Sequence, residues 1–252
     1  MINFQPDIAK IAKDLGLSVF ADYREYINKR RSFEENLLSL LKKQAIEADN
    51  ARIARRIRSS GFPIIKTLDT FEATPERFPH LNLNEFNELS SCRFIDEKAD
   101  VVAIGPSGYG KTHSAIAVGH EALKRGYSVR FKRAFDLVNE MSEAKSEKNL
   151  AKYTKTLNRC QLLIIDEVGY LPYDSAASSF LFQIISARYE TASTFYTTNY
   201  EFSKWPQFIE DKGLVTAIVD RIAHHSIILN MNGPNAWRLE HARSRTEAML
   251  NE

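Results

Sequence analysis

The chain has 252 residues, of which 44% are hydrophobic and 26% are charged, with a formal net charge of +2. This balance is typical of a globular protein with one large domain or a large and a small one, and it excludes disordered and collagen-like chains. No apolar run approaches the roughly 20 residues that span a bilayer, and neither Cys92 nor Cys160 has a partner at metal-ligand spacing, so we expect a cytoplasmic protein with reduced thiols and no membrane contact.

Residues 1–62 are predicted to form a small all-helical N-terminal domain. Leu37, Leu41, Ala45 and Ala48 recur at helical spacing, which indicates an amphipathic helix. Ser32 precedes Glu35 by three residues, the spacing of a capping box at a helix start. Gly61 and Pro63 are expected to end this helix. Residues 63–99, with three prolines, then read as a loop-rich connector that belongs to a second domain, 63–252.

Basic residues are concentrated in and after this helical region, where residues 24–66 contain eleven Lys or Arg against five Asp or Glu. On a helix, Arg52, Arg55 and Arg56 share one face. They are either a solvated face whose stems cover apolar surface or a patch that contacts DNA phosphates, and the sequence favours neither. The predicted DNA-binding residues are Arg52, Arg55, Arg56, Lys42 and Lys43. Residues 145–155 of the second domain are an alternative surface.

Short β-branched runs alternate with helical stretches from residue 100 onward. The predicted strands are 101–104, 128–131, 162–166, 193–199 and 226–231. Between them the pattern predicts a helix that ends at about residue 125 and helices over 134–144 and 176–190. Continuous apolar strands joined by helices indicate an α/β fold, a parallel sheet with helices on both faces.

The sequence GPSGYGKT, residues 105–112, matches the phosphate-loop pattern G-x-x-x-x-G-K-[ST] between a predicted strand and a predicted helix. Its glycines let backbone N–H groups converge on a phosphate at the positive end of the helix. A tight turn alone would explain the glycines but not the Lys-Thr pair. The residues predicted to bind the nucleotide, ATP, are Gly105, Pro106, Ser107, Gly108, Tyr109, Gly110, Lys111, Thr112 and His113.

Two acidic residues, Asp166 and Glu167, follow the apolar residues 162–165. Asp166 and Thr112 are the predicted ligands of Mg²⁺, and Glu167 is suited to polarise the attacking water. The alternative is an acid pair that caps the next helix. A buried carboxylate without a cation is costly, and the phosphate loop therefore favours the metal site.

Three further polar residues are candidates for the catalytic set that includes Lys111 and Glu167. Asn199 closes the strand 193–199 and could orient water, or it could simply be a turn residue. Arg221 and Arg238 could each supply positive charge to a phosphoryl transition state, one of them from a neighbouring subunit, or each could form a surface ion pair.

Five further segments in the same order make the chain similar to a known family. These segments accompany the phosphate-loop run and are LLIIDEVGYLP, LFQIISARYE, TTNYEFSKW, VDRIAHHSIILNMNG and the upstream FPIIKTLDTFE. Together they resemble the IstB-like ATPases of insertion sequences. The resemblance implies an AAA+ P-loop NTPase close to the DnaC and DnaA clade, with the strand before Asn199 between the other two nucleotide-binding strands. It also implies ATP-dependent assembly as a homo-oligomer on duplex DNA, with little sequence preference, and assistance to a partner transposase.

The resemblance also implies a role for each of the motif residues. Lys111 and Thr112 correspond to Walker A, Asp166 and Glu167 to Walker B, and Asn199 to sensor 1. Arg221 corresponds to an arginine finger that acts in trans, Arg238 to sensor 2, and residues 64–71 lie against the adenine. The chain departs from the family at Ser107 and Tyr109, where Pro and Thr are more usual. It also departs at GPNAWRL, which weakens the assignment of Arg238.

Two other functions stay open. A helicase loader of the DnaC type would share the ATPase core but bind a replicative helicase. A nucleotide-gated DNA scaffold would bind ATP without appreciable hydrolysis, and Glu167 argues against it because a scaffold needs no residue that polarises water.

Overall fold

The computed structural model of the chain describes residues 4–234 and residue 236. It divides into two compact units, Met1–Arg56 and Ile57–Glu252. The sequence places a domain boundary after residue 62, whereas the contacts divide the chain inside the last helix of the N-terminal region. That helix contributes its final turn to the second unit.

The N-terminal unit is helical, as the sequence predicts. A short 3₁₀ turn, Tyr23–Glu25, separates its second and third helices. The helices are α1 (Gln5–Asp14), α2 (Ser18–Ala21) and α3 (Phe33–Ser60), the last of which has 28 residues. None of the helices in the described part of the chain has both the length and the apolar character needed to cross a bilayer.

The predicted capping box begins α3. The Glu35 N–H donates to Ser32 Oγ at 3.2 Å, and the Ser32 N–H donates to Glu35 Oε2 at 2.8 Å. Each side chain thereby satisfies a backbone donor that the helix start leaves without a partner. The helix ends where Gly61 takes a φ of 81°, a conformation that glycine adopts at little cost.

The buried face of α3 differs from the predicted one. Leu41 is 51% exposed, whereas Leu40, Asn36 and Gln44 are buried. The two polar residues are buried because they are hydrogen-bonded: Gln44 Oε1 accepts the Val19 N–H at 2.9 Å. Asn36 donates to three backbone carbonyls before the helix. Specific hydrogen bonds thus override the apolar pattern at this helix.

The second unit begins with the connector, which contains more regular structure than its prolines suggest. It includes the 3₁₀ turns Leu68–Thr70 and Leu89–Ser91 and the short helices α4 (Leu83–Glu88) and α5 (Arg93–Asp96).

A five-stranded parallel sheet follows. Its strands are β1 (Asp100–Ile104), β2 (Val129–Arg133), β3 (Leu162–Val168), β4 (Ser193–Thr198) and β5 (Ser226–Asn230). Its helices are α6 (Lys111–Lys124), α7 (Ala134–Ser146), α8 (Leu150–Asn158), α9 (Ser175–Arg188) and α10 (Lys212–His224); the sequence pattern does not predict α8 and α10.

The strand order is β2-β3-β4-β1-β5. The resemblance places the strand before Asn199 between the two other nucleotide-binding strands, and β4 indeed lies between β3 and β1.

Both faces of the sheet are covered by helices. Successive residues of a strand point to opposite faces, so Val102 joins the core under α7, α9 and α10, and Val101 joins the core under α6 and the connector. On the second face, a Cβ at Gly119 of α6 would lie 2.8 Å from Ile164 Cδ1. Glycine therefore lets α6 approach the sheet closely. This packing fixes the position of the phosphate loop, which leads into the N-terminus of α6.

Candidate nucleotide-binding site

The phosphate loop connects the carboxyl end of β1 to the first residue of α6, which is Lys111. Gly108 and Gly110 have φ values of 92° and 81°, in the left-handed region that other residues adopt at a cost. A Cβ at Gly110 would also lie 2.6 Å from Phe71 Cε2. Glycine is therefore required at residue 110 both by backbone conformation and by the close packing of the connector.

Lys111 is buried and points back into the loop. Its ammonium group donates to the carbonyl oxygens of Gly105 at 2.6 Å and Pro106 at 2.7 Å, and to Asn199 Oδ1 at 2.8 Å. The residue that closes β4 and the lysine of the loop are thus in direct contact, although 88 residues separate them. The sheet order explains this contact, because β4 lies next to β1.

Thr112 and Asp166 are brought together at the same edge of the sheet. The Thr112 hydroxyl lies 2.9 Å and 3.1 Å from the two carboxylate oxygens of Asp166, which is 2% exposed. Thr197 donates a further hydrogen bond to Asp166 Oδ1 at 2.6 Å. Hydroxyl and carboxylate oxygens are ligands that Mg²⁺ prefers, usually with only one or two carboxylates beside phosphate and water. The donor set therefore fits this cation.

Glu167 follows Asp166 but has a different environment. Its side chain is exposed, and its φ of 63° is unusual for a residue other than glycine. The pairing of β3 with β4 is irregular at this point, and the Glu167 N–H donates to Thr197 Oγ1 at 2.9 Å. Such a conformation costs on the order of 1 kcal/mol. Neither acid caps the next helix, since Asp174 is the N-cap of α9.

The connector packs against the phosphate loop through Phe71 and His113. The two ring centroids are 5.2 Å apart, and His113 Nε2 lies 3.1 Å from Thr70 Oγ1 and 3.2 Å from the Thr67 carbonyl oxygen. Burial is the largest influence on His113 and lowers its pKa. Burial therefore favours the neutral imidazole, and Nε2–H donates to the Thr67 carbonyl oxygen, because a carbonyl oxygen can only accept.

These groups surround a cavity of about 560 Å³, a size that suits a nucleotide. One part is lined by the phosphate loop and the ends of β3 and β4, and another by the connector and α6. Of the residues predicted from the sequence to bind the nucleotide, 107–113 line the cavity, whereas Gly105 and Pro106 do not. No sequence signal indicates Thr197, Phe78, Arg77 or Tyr170. The lining residues outside residues 105–113 are Ile64, Lys66, Thr70, Phe71, Glu72, Arg77, Phe78, Ile116, Glu167, Val168, Tyr170, Thr197, Thr198 and Asn199.

Of the two arginines assigned to phosphoryl transfer, the structure describes only Arg221, which does not line this cavity. Arg221 lies in the last turn of α10, donates to the Ala217 carbonyl oxygen at 2.8 Å and lies 5.0 Å from the centroid of the Phe182 ring. It is absent from the lining of the cavity among the residues that the structure describes. Arg238 lies outside the described residues.

The basic residues of α3 have unequal environments. Lys42, Lys43, Arg52 and Arg55 are exposed, and Arg56 is half-buried. The Lys43 ammonium lies 3.6 Å from the centroid of the Tyr26 ring, and Arg52 pairs with Asp49 at 2.6 Å. An exposed pair of this kind contributes little to stability. The three arginines of the predicted face therefore differ in exposure, and Arg52 already has an acidic partner.

Comparison with known proteins agrees with this geometry. The family described as IstB-like ATP binding protein matches residues 14–245. The chain is 39% identical to the ATP-binding protein of insertion sequence IS5376 from Geobacillus stearothermophilus, over 91% of this chain and 90% of that protein. It is 34% identical to the ATP-binding protein of insertion sequence IS21 from Pseudomonas aeruginosa, over 85% and 80% of the two chains.

Solved structures share the fold of a large part of this chain. The DnaC helicase loader has a TM-score of 0.57 at 22% identity and covers 65% of this chain and 95% of that chain. AMPPCP-bound DnaA from Aquifex aeolicus has a TM-score of 0.54 at 20% identity, over 72% and 55% of the two chains. At these identities the likeness concerns the fold alone, which is that of an AAA+ P-loop NTPase.

Proposed function

Because this chain belongs to the IstB-like ATP binding protein family, we propose that it is a Mg²⁺-dependent ATPase that binds duplex DNA, oligomerises on it and assists a partner transposase. Residues 63–252 are the ATPase domain in this proposal, and residues 1–62 contribute DNA binding and assembly. The protein acts in the cytoplasm, and DNA stimulates its ATP hydrolysis.

The observation that carries the proposal is the convergence of two contacts at the carboxyl edge of the sheet. Lys111 meets Asn199, and Thr112 meets Asp166, with bonds that cross 88 and 54 residues of sequence. A structural turn would need none of these four side chains. Phosphate binding uses the ammonium group of Lys111. A Mg²⁺ site uses the oxygen atoms of Thr112 and Asp166.

Each side chain then has a defined role in hydrolysis. Lys111 binds the outer phosphates. Its ammonium group then replaces neutral carbonyl partners with charged phosphate oxygens. Thr112 and Asp166 would hold Mg²⁺, which supplies neutralisation of the phosphate charge. Glu167 accepts a proton from the attacking water, and Asn199 orients that water. The exposure of Glu167 toward the cavity supports this division of roles between the two acids.

Assembly and DNA binding are assigned to basic residues that do not line the cavity. Arg221 bonds to the Ala217 carbonyl oxygen of its own helix and is not among the described lining residues of its own cavity, which suits a role in trans and therefore an oligomer. Arg238 remains a proposed second cation in the site. Lys42, Lys43, Arg52, Arg55 and Arg56 are the proposed contacts to DNA phosphates, which would make affinity strongly salt-dependent and nearly independent of sequence.

The transposition role is proposed from the relatives' names, since two of them are described as ATP-binding proteins of insertion sequences.

The test is sedimentation of the purified protein with duplex DNA, with and without ATP and Mg²⁺, beside Lys111→Ala. We expect a large ATP-dependent assembly for the natural chain and none for the variant. A protein that stays small and ignores duplex DNA contradicts the proposal, and binding to a replicative helicase would then favour a helicase loader.

A further inference from the structure

Three segments that are distant in sequence meet beside the phosphate loop. The Tyr109 hydroxyl, from the loop, donates to the Gly233 carbonyl oxygen at 2.8 Å across 124 residues. A Cβ at Gly233 would overlap the carbonyl oxygen of Arg77, which belongs to the connector, and would lie 3.3 Å from Tyr109 Cε1. The backbone of Arg77 is therefore held close to the loop by a contact that only glycine permits.

The side chain of Arg77 lies in the wall of the nucleotide cavity. It is 17% exposed and pairs through Nη1 with Glu72 Oε2 at 3.1 Å. Glu72 lines the same cavity, but its side chain is 76% exposed. A largely buried arginine side chain thus shares the cavity with the phosphate loop, and one of its partners is a carboxylate that is mostly in solvent.

We propose that Arg77 is a further nucleotide-binding residue, which contacts the phosphates of ATP and exchanges Glu72 for them when ATP binds. This inference rests on the proposed binding of ATP in this cavity. No role in binding follows for Arg77 from the phosphate-loop or acidic motifs, because it lies 28 residues before the loop begins.

The exchange follows from the strengths of the competing contacts. A pair with an exposed carboxylate contributes little, because water screens it and the side chain loses freedom. A triphosphate presents several charged oxygens in one place, and the planar guanidinium can donate two parallel hydrogen bonds to them. The Arg77 side chain is also largely shielded from water. The phosphate contact is therefore the stronger of the two.

If the pair between Arg77 and Glu72 were purely structural, one variant would change ATP affinity in the opposite direction. If the pair only held the connector in place, Glu72→Gln would weaken ATP binding, as Arg77→Ala would. If Glu72 competes with phosphate, Glu72→Gln removes the competitor and ATP binds more tightly. The sign of the Glu72→Gln effect therefore separates the two roles.

The experiment is calorimetric titration of the full chain and its variants with ATP and ADP in the presence of Mg²⁺, with adenosine measured by competition. For Arg77→Ala we expect affinity for ATP to fall roughly tenfold or more, while affinity for adenosine changes less than about twofold. Arg77→Lys should lie between, since it keeps the charge but not the paired donors. For Glu72→Gln we expect roughly two- to fivefold tighter ATP binding.

Weaker ATP binding by Glu72→Gln, or an equal loss for adenosine and ATP in Arg77→Ala, would overturn the proposal. If Arg77→Ala lowers the melting temperature substantially, the Glu72→Gln result alone decides. Lys111→Ala, measured in parallel, distinguishes a failure of the underlying function: if it binds ATP as the natural chain does, the cavity is not the nucleotide site, whatever the Arg77 variants do.

Discussion

The two ends of the sheet each carry an aspartate, but they differ in what surrounds it. At the carboxyl end, Asp166 accepts hydrogen bonds from Thr112 and Thr197 beside the open cavity. At the amino end, Asp100 of β1 accepts the Thr194 N–H at 2.6 Å, and Arg188 of α9 lies nearby. The first set is arranged around a space for a ligand, and the second is enclosed by protein.

The amino-end network is centred on Arg188, which is 1% exposed. Its guanidinium donates to Thr194 Oγ1 at 3.0 Å and to the carbonyl oxygens of Cys160 at 3.1 Å and Ser193 at 2.6 Å. These oxygens lie just before or at the start of β3 and β4, so one side chain joins the beginnings of two strands. Burial of a charge is tolerable here because protein groups satisfy its donors.

The comparison teaches that burial of a polar group does not by itself indicate a functional site. The direction of the group and the space beside it make the distinction. Substitutions at the carboxyl end should therefore change ligand binding and turnover more than stability, and substitutions at the amino end should do the reverse.

The largest expected effect is on turnover, for Glu167→Gln at the carboxyl end. The amide cannot take a proton from water, so ATP hydrolysis should fall roughly 10²- to 10⁴-fold. Binding of ATP and the free energy of unfolding should stay close to those of the natural chain, because the side chain is exposed. Phosphate release and ATP binding measured on the same preparations test this. Equal, negligible hydrolysis by both chains would instead support a nucleotide-gated scaffold.

The next effect is on stability, for Arg188→Met at the amino end. This change leaves the carbonyl oxygens of Cys160 and Ser193 buried without their donor, and we expect a loss of about 3 kcal/mol in the free energy of unfolding. Urea titration measures it, with Arg125→Met on the exposed end of α6 as a control for loss of a surface charge. A loss below about 1 kcal/mol would show that the network contributes little to the fold.

The smallest effect depends on pH, for Asp100→Asn. Burial raises the pKa of Asp100 to about 7, against the opposing influence of the Thr194 N–H and Arg188. The unfolded carboxyl titrates near pH 4, so the cost of ionising the buried group appears as pH rises from about 4 through 7. Asparagine carries no such cost and should gain on the order of 2 kcal/mol relative to the natural chain between pH 4.5 and pH 8.

Unfolding measured across this pH range tests the prediction. A difference between the two chains that stays constant with pH would mean that Asp100 is ionised in the folded protein throughout. Asp100 lies at the opposite end of the sheet from the cavity, so its substitution should leave affinity for ATP unchanged at either pH.

Features that depend on a few neighbouring residues were predictable. The capping box of Ser32 and Glu35 and the strand–loop–helix context of the phosphate loop both follow from local backbone requirements. The buried face of α3 was predicted wrongly, because Gln44 is buried through a hydrogen bond to the backbone of Val19, 25 residues away. No periodicity in the sequence encodes that bond.

The same limit explains which site residues were missed. Thr197 binds both Asp166 and the Glu167 backbone only because β4 lies beside β3, and nothing in STFYTTN distinguishes this threonine from its neighbours. Arg77 stands in a proline-rich connector with no recognisable motif. Its place in the cavity wall depends on the close approach of Gly233, more than 150 residues later.

Features that depend on a few neighbouring residues are readable in the residues alone: glycines that expose backbone N–H groups, a lysine for phosphate and two acids at the end of an apolar strand. The alternation of strands with helices is readable for the same reason, since it depends on backbone conformation and periodicity over short stretches. Which side chains meet is a matter of tertiary packing, because the order β2-β3-β4-β1-β5 places β4 between the strands that precede the loop and the acids. That order is fixed by packing over the whole sheet, and it brings Lys111 to Asn199 and Thr112 to Asp166.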